Sequence, residues 1–361
     1  MTDDTRRAWR PLPTDRPVRV ALLGHGLAGS VFHGPLLAAD PRYAVAVVMT
    51  SSPERAEAAR AAHADVEIVP DADAVWERAD DLDLAVVATP GETHARFGIR
   101  ALESGLACVL DKPACTTDVE GAELLATRDR TGVPLTVFHN RRLDGDFLTA
   151  VRLLREGRLG ELVRLESSFE TWKPTVTKAW KAGASPAEGG GVLYDLGPHL
   201  IDQAIRLAGP VEESYAELRA LRAGAVSDDD AVVVLRHASG VVSHLTMSTQ
   251  ARRPGPRMRV LGTEGAWSCY GVDGQEGALG AGASPLDADF GLAGAGRGSV
   301  LTTDAGDKAV PMERGDYPRF YAELADALQG RGTVPVDPAD AVGVVGLIAD
   351  LHRRHPVRSR P

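Results

Sequence analysis

Three short stretches of this sequence hold residue types that do chemistry together. The first is Asp111-Lys112-Pro113, an amine beside a turn-holding proline. Only five lysines occur (Lys112, Lys173, Lys178, Lys181, Lys308), and the other thirty-five of the forty basic residues are arginine. An amine, which sheds a proton far more readily than a guanidinium, is thus used sparingly. At a strand end Lys112 can donate both to a substrate oxygen and to a cofactor ribose. The competing reading is a surface ion pair with Asp111, although adjacent strand residues point to opposite faces. The second stretch runs Gly189-Gly190-Gly191-Val192-Leu193-Tyr194-Asp195-Leu196-Gly197-Pro198-His199-Leu200-Ile201-Asp202. Its triple glycine lets backbone come near a ligand, and Pro198 suits the first turn of a helix running to about Leu207. Asp195 and His199, four apart, form a proton-transfer pair in which the acid fixes the imidazole tautomer and supports its charge. Taken alone the pair reads as a capping aspartate and a structural histidine; beside the other two stretches it reads as acid/base machinery.

The third stretch is Gly24-His25-Gly26-Leu27-Ala28-Gly29, a GxGxxG that ends an apolar run and opens a helical pattern. Gly24 permits the tight turn, Gly26 lets a pyrophosphate approach the backbone, and Gly29 lets the helix sit close on the strand. Leu27 and Ala28 complete a loop whose N–H groups and positive helix end receive the phosphates. A dinucleotide is the expected cofactor. The acidic residue that grips a ribose 2′-hydroxyl belongs about 20 residues on. That place reads Met49-Thr50-Ser51-Ser52-Pro53-Glu54-Arg55. Hydroxyls of Thr50, Ser51 and Ser52 with Arg55 accept a 2′-phosphate that a carboxylate would repel, so NADP is favoured over NAD. Glu54 reaching the ribose, with Arg55 on a solvated helix face, is the alternative.

These stretches need elements to position them. Buried strands are expected at 18–24, 43–50, 82–89, 106–111 and 134–140, with a weaker one at 66–70, and helices near 27–39, 53–64, 92–104 and 117–131. This alternation predicts an α/β Rossmann fold, a doubly wound parallel sheet over residues 18–142, after a flexible tail at 1–17. From 143 to 361 the texture changes. After a helix near 145–156, strands at 161–172, 214–222, 231–237, 241–248 and 257–262 predict an α+β domain with an open, mainly antiparallel sheet. A glycine-rich stretch at 271–298 is read as a long loop, followed by helices near 317–329 and 338–354.

Length and composition bound the rest. Three hundred and sixty-one residues with 44% hydrophobic and 25% charged content suit a two-domain soluble protein. A net charge of −10 argues against nucleic acid as a partner. Cys108, Cys115 and Cys269 have no CxxC spacing, which leaves neither a disulfide framework nor a zinc signature, and no other compact ligand set appears, so no metal is expected. No apolar run is long enough for a membrane span and the N-terminus has no signal-peptide core, so a cytoplasmic protein is expected.

The motifs together resemble the Gfo/Idh/MocA oxidoreductases. In family order come GHGLAG, TPGETH (89–94) where the family has TPNxxH, DKP where it has EKP, and YDLGPHLID. Longer strings, GLAGxxFHxPL from Gly26, VFHNRRxDxDFL from Val137 and GGGxLYDLGPHLIDQA from Gly189, are most similar to the branch containing NADP-dependent scyllo-inositol dehydrogenase. The resemblance spans nearly the whole chain. It implies that Lys112 binds cofactor and substrate, that His199 is the general acid/base, and that Asp195 positions the substrate and supports His199. It implies cofactor contacts at Thr89, Pro90, His94 and Pro113, and brings Asn140 and Arg141 to the crevice. Tyr194 is expected at the substrate, though Trp172 and the 271–298 loop compete with it. Trp180 either covers the nicotinamide or anchors a loop. Two departures are Asp111 for glutamate and Gly91 for asparagine, the latter removing a side-chain amide near the nicotinamide. The implied activity is hydride transfer between NADP or NAD and a secondary alcohol of an inositol or sugar, in a homodimer or homotetramer paired through the C-terminal sheet. Rival readings are a same-fold enzyme that oxidises a sugar transiently to allow elimination or glycoside cleavage, and a non-catalytic nucleotide sensor.

Overall fold

A computed structural model describes residues 9–175, 185, 189–294 and 298–359. The chain divides into two compact units. The first comprises residues up to His139 with Glu276–Phe290 and Tyr317–Val342, and the second Asn140–Gln275, Gly291–Asp316 and Gly343 onward.

The first unit is built on a six-stranded, wholly parallel sheet: β1 (Val18–Leu23), β2 (Tyr43–Met49), β3 (Glu67–Val69), β4 (Leu84–Val87), β5 (Ala107–Leu110) and β6 (Leu135–Val137), in the order β3-β2-β1-β4-β5-β6. β4, β5 and β6 are buried at every residue, as a sheet covered on both faces requires. The order reverses between β1 and β4, where such sheets open a crevice at their carboxyl ends. The first crossover is one expected helix in two parts, a π-helical segment Ala28–His33 running into α1 (Gly34–Ala39). α2 (Pro53–Ala62), α3 (Ala72–Trp76), α4 (His94–Glu103) and α5 (Asp118–Thr131) follow. α5 shows why these residues form helices here: Thr117 and Glu120 make a reciprocal capping box, and Gly132 ends the helix at φ +66°. The helix Pro318–Leu328 belongs to this unit; the Tyr321 hydroxyl lies 2.7 Å from His33 Nδ1, and Tyr43 donates to the Tyr321 carbonyl at 2.8 Å. In the N-terminal segment, the Leu12 N–H donates to Leu328 O at 2.8 Å and Arg16 pairs with Asp83.

The second unit centres on a nine-stranded mixed sheet, mostly antiparallel: β7 (Leu162–Glu170), β8 (Val211–Ala220), β9 (Asp230–His237), β10 (Val242–Ser248), β11 (Met258–Gly262), β12 (Ala266–Cys269), β13 (Ser299–Thr303), β14 (Gly306–Ala309) and β15 (Arg358–Ser359). β7 and β10 pair in parallel, as do β8 and β15. One face of the sheet, carrying Leu165, Phe169, Val233, Leu245 and Met247, is buried and packs on α7 (Val192–Ala208), which follows α6 (Gly145–Arg155) in the chain. Three differences from expectation stand out. β12 to β14 are too short to show alternation in the sequence. The 271–298 stretch contains a helix, Gln275–Gly280. α7 starts at Val192 rather than at Pro198, so that proline sits inside the helix and removes one N–H from its ladder.

Candidate active site

Four loops meet at the carboxyl edge of the parallel sheet because backbone bonds carry its registers one residue past each strand. The Gly24 N–H donates to Met49 O at 3.0 Å, Ala88 to Leu23 O at 2.8 Å, and Asp111 to Val87 O at 2.9 Å. Gly24, Thr50, Thr89 and Lys112 thereby sit at the tips of β1, β2, β4 and β5. Gly24 has φ +94°, and a Cβ there would stand 2.7 Å from Ala88 O; a Cβ on Gly29 would stand 2.1 Å from Gly24 O. Both glycines are consumed by the fold. Gly26 is different, since a Cβ there would meet only Arg55 Nη1, at 3.9 Å. Its backbone is open to a ligand, and the next residue, Leu27, is 66% exposed. At the tip of β2, Thr50 Oγ1 accepts from Ser52 N–H at 3.3 Å and Ser52 Oγ caps α2 by accepting from Arg55 N–H at 3.3 Å. Ser51 and Arg55 are exposed.

The turns after β4 and β5 are fastened to each other. His94 heads α4 with both ring nitrogens 2.7 Å from carbonyl oxygens, Nε2 from Thr89 and Nδ1 from Pro113. Thr89 Oγ1 lies 2.6 Å from Thr93 Oγ1, which donates to Pro90 O. Gly91 leaves ordinary contact distance to the Pro113 ring. Lys112, half-buried, follows an aspartate whose carboxylate accepts the Lys112 N–H at 2.8 Å. Thr89, Pro90, His94, Lys112 and Pro113 thus form one fastened pair of turns, in which the His94 ring faces backbone.

In the second unit, Asp195 lies in the first turn of α7 and His199 one turn on, so the two share a helix face. The start of that helix explains the glycine run. Gly191 has φ +99°, and a Cβ there would stand 2.2 Å from Asp228 Oδ1. Asp228 accepts Leu193 N–H at 2.8 Å through its carboxylate and Val192 N–H at 2.8 Å through its carbonyl. Gly191 therefore makes room for a protein carboxylate that caps the helix, not for a ligand. Burial raises that carboxyl to about 6 against the opposing Leu193 bond. Spacing overlooked Asp228, although three consecutive aspartates at 228–230 are a signal.

His199 is buried, with the Phe169 ring 6.4 Å away edge-on. Arg141 and Arg257 stack over the other reaches of Phe169, at 4.7 and 4.1 Å. Arg141 pairs with Asp144 at 3.2 Å, and Gln203 donates to Arg141 O while accepting from Arg257. Burial raises the Asp144 carboxyl, with Arg141 opposing. Arg142 holds Asp202 through two bonds, at 2.8 and 2.5 Å. Asn140 is buried in the same short turn. The Tyr194 ring stacks on His352 at 5.3 Å and is 3% exposed. Trp180 lies outside the described residues. The three cysteines are buried free thiols, and no group of three or more His, Cys, Asp or Glu among the described residues could hold a metal ion. No described helix is long and apolar enough to cross a membrane.

Open backbone at Gly26, strand-tip hydroxyls and a nearby guanidinium fit a dinucleotide phosphate chain, which with a doubly wound sheet defines a nucleotide-binding α/β protein carrying a second, sheet-based domain. Comparison with known proteins makes this specific. Residues 18–139 match the oxidoreductase-family NAD-binding Rossmann fold, and residues 147–268 the GFO/IDH/MocA C-terminal domain. The chain belongs to the Gfo/Idh/MocA family of oxidoreductases. It is 38% identical to the uncharacterized oxidoreductase YdgJ of Escherichia coli K12 over 92% of this chain and 94% of that one. It is 32% identical to scyllo-inositol 2-dehydrogenase (NADP(+)) IolW of Bacillus subtilis over 92% of each. The solved structure of Bacillus subtilis YvaA, described as an oxidoreductase, superposes with a TM-score of 0.87 at 31% identity, covering 95% of this chain and 97% of that one. Relatives named for an inositol substrate share only modest identity with this chain, and they stand among several uncharacterized oxidoreductases.

Proposed function

We propose that the protein transfers hydride between a nicotinamide cofactor, NADP in preference to NAD, and a secondary alcohol or ketone of a cyclitol or sugar. A bound nicotinamide supplies the carbon that accepts or returns hydride. His199 takes the hydroxyl proton during oxidation and returns it during reduction. Asp195, one turn earlier on α7, supports the imidazolium. Lys112 donates to the reacting oxygen as negative charge develops there. Gly26, Leu27 and Ala28 would meet the pyrophosphate on the turn that Gly24 and Gly29 permit; Thr50, Ser51, Ser52 and Arg55 would take the 2′-phosphate; Thr89, Pro90 and Pro113 would line the nicotinamide site, with His94 holding their turns. The observation that carries the reading is the Asp195 and His199 pair on one face of a continuous helix. The NADP preference is supported by the absence of any carboxylate at the tip of β2 and by the cofactor in the name of IolW. Assembly through the C-terminal sheet is supported by its open face, where Tyr215, Val234 and His244 align across three strands.

The test is absorbance of reduced nicotinamide across a panel of inositols, aldoses and keto sugars, with NADP and NAD in parallel. Lys112→Ala and His199→Ala are each expected to lower kcat about 10²- to 10⁴-fold. Full turnover in both variants overturns the catalytic assignment. Product without net change in reduced nicotinamide favours the transient-oxidation chemistry instead.

A further inference from the structure

His25, the second residue of the glycine loop, has a role that turn geometry does not explain. Its side chain is buried at 5% exposure, and Nδ1 has no hydrogen-bond partner. Its ring meets that of His63 edge to face, with centroids 6.4 Å apart. His63 closes α2, is 7% exposed, and has an Nε2 that is likewise unpartnered. Two adjacent imidazoles with unused nitrogens are costly to bury, and native structures keep few such groups without a use for them. Around them the charges are few. Arg55 reaches in from α2, its Nη1 3.9 Å from where a Gly26 Cβ would stand, and it makes no ion pair among the described residues. α1 presents Gly34 to His63 Nε2, a Cβ there lying at 3.2 Å, and brings no charge. Burial lowers the affinity of both rings for protons; Arg55 adds to this at His25, and His25 adds to it at His63. No carboxylate among the described residues acts on either ring.

The arrangement is one cation beside two neutral rings: Arg55 and His25 adjoin the strand tip, where Thr50 and Ser52 already use acceptor capacity on backbone N–H groups and keep their O–H donors, and His63, at the opposite end of α2, meets His25 from behind. We propose that His25 and His63 form with Arg55 a proton-linked seat for the cofactor's 2′-phosphate, the histidine pair taking up a proton from solvent as the phosphate docks. This rests on the NADP reading above and adds the residues that set its selectivity. The sign of the pH dependence separates it from simple phosphate binding. A phosphomonoester whose second ionisation lies near ~6 binds cations better as pH rises, whereas proton uptake by the rings makes binding weaker as pH rises.

Titration calorimetry on the full chain, with NADP, NAD and 2′,5′-ADP as ligands at pH values from about 6 to about 8 and in buffers of different ionisation enthalpy, tests the proposal. Affinity of the wild type for NADP and 2′,5′-ADP is expected to fall about tenfold across that range with net proton uptake, while affinity for NAD changes less than about twofold. His25→Gln is expected to abolish the uptake and weaken NADP about tenfold at the acid end, sparing NAD; His63→Gln should do so in lesser degree. Wild-type NADP affinity that is flat or rises with pH, or variants that weaken NAD and NADP alike, overturns this inference and leaves the NADP reading standing. If the wild type binds neither nucleotide, both fall. The wild-type pH series needs no substitution, so the inference is decided even where a variant does not fold.

Discussion

A histidine drawn from a family motif can serve a cofactor by touching it or by holding what touches it, and the ring of His94 is set on backbone carbonyls, the geometry of a holder. With each nitrogen set on a backbone carbonyl, the ring fastens the Thr89 turn to the Pro113 turn and thereby places Lys112 between two fixed points. His94→Ala removes the ring that spans the two carbonyls, stranding the one it donates to, and is expected to cost about 2 kcal/mol in stability. Catalytically, kcat/KM should fall about tenfold while a Lys112→Ala background feels little further loss, a double-mutant cycle that separates an effect through Lys112 from general loosening. The place of Lys112 just past the end of β5 was legible in the sequence because strand, turn and proline are contiguous there. The task of His94 was not, since its partners are backbone oxygens that no side-chain pattern announces. Arg141, Asp144 and Asp146 show the same limit. Charged letters in a row look like a solvated or ligand-facing face, and only the fold reveals that these three are buried and answered by Gln203, Arg257 and Phe169.

Among the elements, α7 is the one on which the proposed chemistry depends, and its beginning was misjudged for a physical reason. Proline at a first helical turn is so favourable that Pro198 masks the true start six residues earlier, which is set by the remote carboxylate of Asp228. Gly191→Ala must place a methyl against that carboxylate at a positive φ. A loss on the order of 3 kcal/mol is expected, read as a lowered denaturation midpoint, along with reduced kcat because Asp195 sits in the turn that frays. Asp228→Ala should reproduce the activity defect, whereas a surface change such as Glu212→Ala should not. By contrast, β1, β2, β4, β5 and β6 were plain in the sequence, because largely buried parallel strands are apolar runs, whereas β3 carries an exposed Glu67 and was the weaker expectation, and the five-residue α3 was not anticipated.

For the molecule as a whole, acid is the expected weakness of the first unit. Burial holds His33 down at about 4, from an ordinary value of 6.5, despite the help of Asp111. A histidine whose folded pKa is depressed contributes stability that is fully present above about 6.5 and lost as pH falls toward 4, on the order of 3 kcal/mol here. The second unit has His352 held at about 4 by burial, yet its Asp228 carboxyl is raised to about 6 and gives an opposing slope. Thermal melting between those pH limits should therefore show acid destabilisation that His33→Gln flattens, even while that variant lowers the midpoint at neutral pH. A slope unchanged by the variant removes His33 as its source.

The chain also leaves its nucleotide-binding unit and comes back to it. Phe320, Tyr321 and Leu324, on the returning helix Pro318–Leu328, are buried in a unit whose strands were all complete by Val137. During synthesis the nascent Rossmann sheet must therefore wait, with a greasy flank uncovered, while some 180 further residues are translated. Expression of residues 1–142 alone would make that waiting state permanent, so a cut at the apparent boundary is expected to give a fragment with that flank bare, not a free-standing cofactor module.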